Sequence, residues 1–186
     1  MNDSVKVPFN LSIKQYSYLV LFLNCLAIIS TTPGHSFGIN MFIENWKKDF
    51  NTNSLVINSI WTVASLISGV FVINLGKVID KLGAKKVLNI LYPLYILCLF
   101  LIGFSGNIYI LGTLICFMRI LGPESIGTIS YIILCKWFSK NKGKVFSLLA
   151  FLDTIFIISP AFINILIEQF NWRITYLILA SIIFIF

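Results

Sequence analysis

Six stretches of apolar residues follow one another along the chain, separated by short polar segments. They occupy residues 18–42, 55–75, 87–104, 108–138, 145–167 and 174–186. An α-helix needs roughly 17–25 residues to cross the hydrocarbon core of a bilayer. The first five stretches reach that length, whereas the sixth has 13 residues. The pattern therefore predicts an all-α membrane protein with five complete transmembrane helices and the start of a truncated sixth.

This division predicts two regions. Residues 1–17 form a polar amino-terminal tail, and residues 18–186 form the transmembrane helical domain. The chain is 58% hydrophobic and only 11% charged, whereas an average soluble domain is about 25% charged. A soluble protein of this size would leave much of that apolar surface in water. The composition therefore excludes a soluble fold and makes the lipid bilayer the principal partner.

The net charge of +7 does not indicate a nucleic-acid partner, because the basic residues lie in short segments beside the apolar stretches. Ten of them fall on one predicted side of the membrane, in the amino-terminal tail and after the second and fourth stretches. Three fall on the other side: Lys47, Lys48 and Arg173. Since basic residues are enriched in cytoplasmic loops, we expect an integral, multi-pass protein with a cytoplasmic amino terminus.

Three ionisable residues lie deep in the predicted spans: Arg119, Glu124 and Asp153. At 1.5 Å per residue each falls within about 5 Å of the midplane, where secondary transporters place substrate and proton sites. Arg119 could bind an anion while the carboxylates carry protons, or the charges could form a structural ion pair. Residues five apart are about 140° apart on an α-helix. Arg119 and Glu124 therefore share a face only if Pro123 distorts the helix.

The first stretch is interrupted by Thr31-Thr32-Pro33-Gly34, immediately before the only histidine, His35. A broken helix exposes backbone groups, and histidine titrates near neutral pH, so His35 is a candidate for the transport path. The alternative is a hydrogen-bonded histidine near the outer interface. Tryptophans 46, 137 and 172 lie near span ends, as interfacial anchors do. The four cysteines match no zinc-ligand spacing, so we expect neither a metal nor a cofactor.

Residues 76–86 form a charged segment between two apolar stretches and resemble the signature loop of the major facilitator superfamily. Five residues fall on the positions of that motif: Gly76, Asp80, Lys81, Gly83 and Lys85. Ala84 departs from it, because a basic residue is common there. The resemblance implies a cytoplasmic gate, in which the carboxylate of Asp80 pairs with basic residues and a helix end in a second half of the transporter.

Further segments resemble the same superfamily. Arg119 and Gly122 match an Arg-x-x-Gly signature of its fourth helix. Residues 38–50, 136–144 and 160–173 resemble the monocarboxylate and oxalate–formate transporter branch, although residues 35–38 lack the lysine common there. The resemblance implies a fold of about twelve helices. This chain would then be its amino-terminal half, and its missing partner would be the carboxy-terminal half.

Together these features predict a secondary active transporter that moves a small organic solute, a carboxylate anion, by alternating access with proton coupling. A transporter for an amino acid or a sugar and a non-transporting, truncated membrane protein remain alternatives. An enzyme is not expected, because the sequence contains no nucleophile–base pair, metal-ligand cluster or phosphate-binding loop. The predicted loops are also too short to form a catalytic domain.

Overall fold

The computed structural model of the protein describes residues 12–138, 143, 146–147, 149–150 and 158–185, and within them all regular structure is helical. The α-helices in chain order are α1 (Ile13–Ser30), α2 (Ser36–Asn40), α3 (Ile43–Asp49), α4 (Ser54–Leu82), α5 (Ala84–Gly103), α6 (Ile108–Arg119), α7 (Thr128–Trp137), α8 (Ser159–Phe170) and α9 (Trp172–Ile185). A 3₁₀ turn (Thr32–Gly34) follows α1, and a π-helix (Ile120–Gly127), called here the π segment, joins α6 to α7.

Among the residues that the structure describes, three helices are long and apolar enough to cross a membrane. They are α4 with 29 residues, α5 with 20, and the 30-residue helix composed of α6, the π segment and α7. They coincide with the second, third and fourth predicted spans, which confirms the all-helical prediction for this part of the chain. The fifth predicted span, residues 145–167, lies partly outside the described residues. A total of five complete spans therefore stays a prediction.

The charged segment 76–86, predicted as a loop between the second and third spans, is helical except at Gly83, and this corrects the prediction. Helix α4 continues through it to Leu82, and α5 begins at Ala84, so Gly83 alone joins the two helices. Gly83 has φ 81° and ψ 143°, a conformation that essentially only glycine adopts at low cost. Lysine and leucine form helices well, so the charges do not end α4. The reversal of the chain comes from the glycine.

The first apolar stretch is broken where the sequence indicated. Helix α1 begins at Ile13, before the predicted start at residue 18, and ends at Ser30. The hydroxyl groups of Thr31 and Thr32 then donate to the carbonyls of Ile28 and Ile29, each at 2.6 Å. These bonds satisfy carbonyls that the end of a helix leaves without a partner. The chain resumes as α2, which lies within the first apolar stretch. Helix α3 begins directly after the predicted end of that stretch at residue 42 and lies in the polar segment that follows.

The core forms where α4 packs against α6 and the π segment, and where α5 packs against α6 and α9. Trp46 is 0% exposed and Trp172 is 3% exposed, in a cluster with Phe42 and Tyr176. Their interpretation as interfacial anchors is therefore wrong. Tryptophan buries a large apolar area when it packs inside a protein, and these two rings pack edge to face with centroids 6.3 Å apart. Trp137 is partly buried against Tyr16, with ring centroids 5.2 Å apart.

Candidate functional site

Arg119 and Glu124 form an ion pair near the middle of the α6–π–α7 helix. Arg119 Nη2 lies 3.0 Å from Glu124 Oε1, and their side chains are 17% and 28% exposed. In a π-helix the backbone bonds join residues five apart, so residues i and i+5 lie above one another. Pro123, inside the π segment, has no N–H to donate to an α-helical bond. The distorted helix therefore brings together two residues that an ordinary α-helix would separate.

Two other helical regions hold the guanidinium of Arg119. Its Nη1 donates to the carbonyl oxygen of Gly34 at 3.2 Å, in the 3₁₀ turn after α1. Its carbon Cζ lies 4.5 Å from the ring centroid of Trp61 on α4, which is cation–π distance. In the part of the chain that the structure describes, Arg119 Nε is buried and finds no hydrogen-bond partner. Three elements thus position the charge, and the Nε donor finds no partner among the described residues.

Sequence reasoning missed Trp61. No motif marks it, and aromatic residues inside spans are commonly packing residues. A signal existed, because Trp61 is the tryptophan that lies well inside a predicted span rather than near its end. Its ring becomes relevant to the site only because α4 packs beside the π segment.

Glycine allows the elements around this ion pair to approach closely. A Cβ added at Gly34 would lie 2.7 Å from Pro123 Cδ, and one added at Gly122 would lie 2.6 Å from Tyr95 Cε2. The hydroxyl of Tyr95 on α5 donates to the carbonyl of Ser30 at 3.1 Å. The π segment therefore directly contacts both α5 and the 3₁₀ turn that breaks the first span.

His35 lies next to this site along the chain. It follows Gly34, whose carbonyl binds Arg119, and its Nε2 lies 3.3 Å from Thr31 Oγ1. Its ring stacks on Phe37 with centroids 5.1 Å apart. The structure thus places three of the four predicted pathway residues, Arg119, Glu124 and His35, in one region. The fourth, Asp153, lies outside the described residues.

The predicted gate motif is separate from this site. Asp80 is 19 residues beyond Trp61 on α4, about 28 Å along the helix axis. Its motif neighbours are exposed on the ends of two helices: Gly76 and Lys81 on α4, Gly83 at the joint, and Lys85 on α5. Within the described ranges, Asp80 is exposed and forms no ion pair.

A sequence model of the Major Facilitator Superfamily matches residues 18–186. The chain belongs to this superfamily. No curated protein and no solved structure matches it significantly. Members of the Major Facilitator Superfamily are membrane transporters. This chain is therefore an integral, multi-pass membrane protein of a transporter family. Its partners are the lipid bilayer and a small solute. The match includes both the Arg119–Glu124 ion pair and the charged helix ends around Gly83.

The described residues include no group of three histidine, cysteine or acidic side chains placed to hold a metal ion. The guanidinium and the carboxylate of the Arg119–Glu124 site offer ionic contacts and hydrogen bonds. A guanidinium presents planar donors that match a carboxylate. A neighbouring carboxylate can bind that guanidinium or accept a proton.

Proposed function

We propose that this Major Facilitator Superfamily protein is a secondary active transporter for a small organic carboxylate, and that Arg119 binds the carboxylate group. The observation that carries the proposal is the guanidinium itself, partly exposed in the middle of a helix long enough to span the bilayer. A charge at that depth costs at least about 2.5–3.5 kcal/mol to insert. Its fixed position against Gly34 and Trp61 favours a binding role.

The neutral Arg119–Glu124 pair supports proton coupling. A solute carboxylate that replaces Glu124 on Nη2 would leave a second carboxylate unpaired in a poorly hydrated site, which is costly. Protonation of Glu124 removes that cost, so one proton would accompany one carboxylate. His35 and Asp153 are further candidates for the proton path; His35 is the one placed beside the Arg119-binding carbonyl of Gly34.

We also propose that the chain works by alternating access together with a second half of the superfamily fold. The exposed carboxylate of Asp80 supports the gate role, since it is available to a basic residue of that half. The lysine distribution supports a cytoplasmic position for this end of α4 and for the amino terminus. The segments at residues 136–144 and 160–173 support the monocarboxylate and oxalate–formate branch.

Liposome uptake tests the proposed function. The full chain as its gene encodes it is reconstituted, and entry of radiolabelled carboxylates, amino acids and sugars is compared with empty liposomes. We expect carboxylate uptake driven by an inward proton gradient. We expect Arg119→Ala to lower it at least thirtyfold, since removing a buried charge partner costs about 2–5 kcal/mol. Lys48→Ala, an exposed lysine of α3, serves as the charge-matched control.

The outcomes separate the alternatives. If no solute enters above empty liposomes, the transporter proposal fails and a non-transporting role is favoured. If carboxylates enter and Arg119→Ala leaves their uptake unchanged, the assignment of Arg119 is wrong. In Glu124→Gln we expect carboxylate uptake that no longer responds to the proton gradient; an unchanged response contradicts the proton assignment.

An amino-acid substrate is the second candidate, and one observation favours it. Arg119 and Glu124 present opposite charges 3.0 Å apart, which complement the carboxylate and ammonium groups of a zwitterion. Under this alternative, uptake of amino acids exceeds that of simple carboxylates in the same panel, and both Arg119→Ala and Glu124→Gln lower it.

A further inference from the structure

Helix α4 has three faces, which follow from about 100° of rotation per residue. One face is buried against α6 and the π segment and carries Ile57, Ala64, Ser68, Leu75 and Ile79. An exposed apolar face carries Leu55, Val63, Leu66 and Val70. Between the two runs a flank of hydrogen-bonding side chains, called here the polar flank: Asn58, Thr62 and Ser65.

The polar flank is not covered in the part of the chain that the structure describes. Asn58 and Thr62 are exposed, and Ser65 is partly exposed. The hydroxyl of Thr62 donates to the carbonyl of Asn58 at 2.8 Å. No described residue bonds the side-chain amide of Asn58. Asn58 lies about 6 Å along the axis from the first residue of α4. Its amide needs a hydrogen-bonding partner, so this flank suits an aqueous path better than the hydrocarbon of the bilayer.

The polar flank lies beside Trp61, the residue of α4 that contacts Arg119. Trp61 lies between the buried face and this flank, and its ring covers the Arg119 guanidinium. Asn58 and Ser65 are one turn before and one turn after Trp61, about 40–60° round the helix from it. From Asn58 to Ser65 the flank extends about 10 Å along the helix axis. A shallow surface depression of about 600 Å³ lies over its first part; it is lined by Asn58 and Thr62 together with Leu55, Ser59 and Val63.

We propose that the polar flank lines the solute path beside Arg119 and selects short hydroxylated carboxylates. The solute carboxylate binds Arg119, while its hydroxyl groups bond the nearest hydrogen-bonding side chains of the polar flank. An acid of the same length without hydroxyl groups leaves these side chains with no partner and is transported less well. This inference rests on the proposed function and names the substrate class of that same site.

Paired acids test the inference. Glycerate and propionate have three carbons each and differ by two hydroxyl groups. Their uptake is measured for the full chain in liposomes, and the ratio of glycerate to propionate uptake is the readout. We expect Asn58→Leu and Thr62→Val to lower this ratio roughly two- to tenfold for each hydrogen bond lost. Propionate uptake should stay close to the wild-type value, because its carboxylate still binds Arg119.

Thr113→Val is the matched control. Thr113 on α6 is also exposed, and its hydroxyl bonds the carbonyl four residues earlier, as that of Thr62 does. Its replacement should leave the uptake ratio unchanged. An unchanged ratio in Asn58→Leu and Thr62→Val, with carboxylate uptake intact, overturns the inference alone. An equal loss of both acids also overturns it and points to packing against another helix. A wild-type chain that takes up neither acid overturns the proposed function as well.

Discussion

The side chain of Trp61 contacts the charge of Arg119 in the middle of a helix long enough to span the membrane. Its ring lies over one face of the Arg119 guanidinium, 4.5 Å from Cζ, while the donors at the guanidinium edge remain directed at Gly34 and Glu124. The aromatic face stabilises the cation without using a hydrogen-bond donor. The guanidinium edge therefore stays available to hydrogen-bond acceptors, here the Gly34 carbonyl and the Glu124 carboxylate.

Replacing Trp61 tests this role. A cation–π contact is worth about 0.5–2 kcal/mol, so we expect Trp61→Leu to raise the KM for carboxylate uptake roughly two- to thirtyfold. Trp61→Phe should retain most of the affinity, because phenylalanine keeps an aromatic face. Trp137→Leu, at the end of α7, is the control for loss of an indole. Equal KM values in the Leu and Phe variants would contradict a cation–π role.

At the level of the helices, apolar length predicts the second, third and fourth spans, because the thickness of the bilayer sets the length of a spanning helix. The ends of α4 and α5 were predicted less well, since helix-forming lysines extend both helices up to Gly83. The sequence alone allows either a structural ion pair between Arg119 and Glu124 or separate roles for the two charges. The geometry of the pair depends on the π segment, which packs through Gly122 and Pro123 against residues distant in the sequence. Such contacts leave no periodic signal.

The joint at Gly83 gives a prediction about stability. An L-residue at φ 81° and ψ 143° costs about 1–3 kcal/mol, so Gly83→Ala should lower the free energy of unfolding by that amount. Gly69→Ala is the control, because Gly69 lies inside α4 with nothing within 4 Å of an added Cβ. It should be neutral or stabilise by about 0.5–1 kcal/mol. Circular dichroism during unfolding in detergent measures both. Equal effects at the two positions would contradict the strained joint.

On the scale of the whole molecule, a second polar cluster connects three regions far apart in the sequence. Asp49 Oδ2, at the end of α3, accepts from Trp172 Nε1 at 2.8 Å and from Arg173 Nη2 at 3.2 Å, both on α9. Arg173 Nη1 donates to the carbonyl of Ser105, between α5 and α6, at 2.7 Å. These bonds fix the exit of the first stretch to the start of the sixth.

Asp49→Ala should destabilise the protein by about 1–3 kcal/mol, because it leaves the buried Trp172 N–H without its acceptor. Glu44→Ala removes another carboxylate from α3, one that is 69% exposed and pairs with Lys47. It should cost less than about 1 kcal/mol. Unfolding followed by tryptophan fluorescence measures the difference. A comparable loss in both variants would show that Asp49 contributes no more than a surface ion pair.

The ion pair within one helix also bears on how the protein is made. Arg119 and Glu124 belong to the same span, so their charges cancel as soon as the π segment forms. Each charge alone would oppose insertion by at least about 2.5 kcal/mol. The fourth span therefore carries its own counter-ion into the bilayer and does not have to wait for a later helix to supply one.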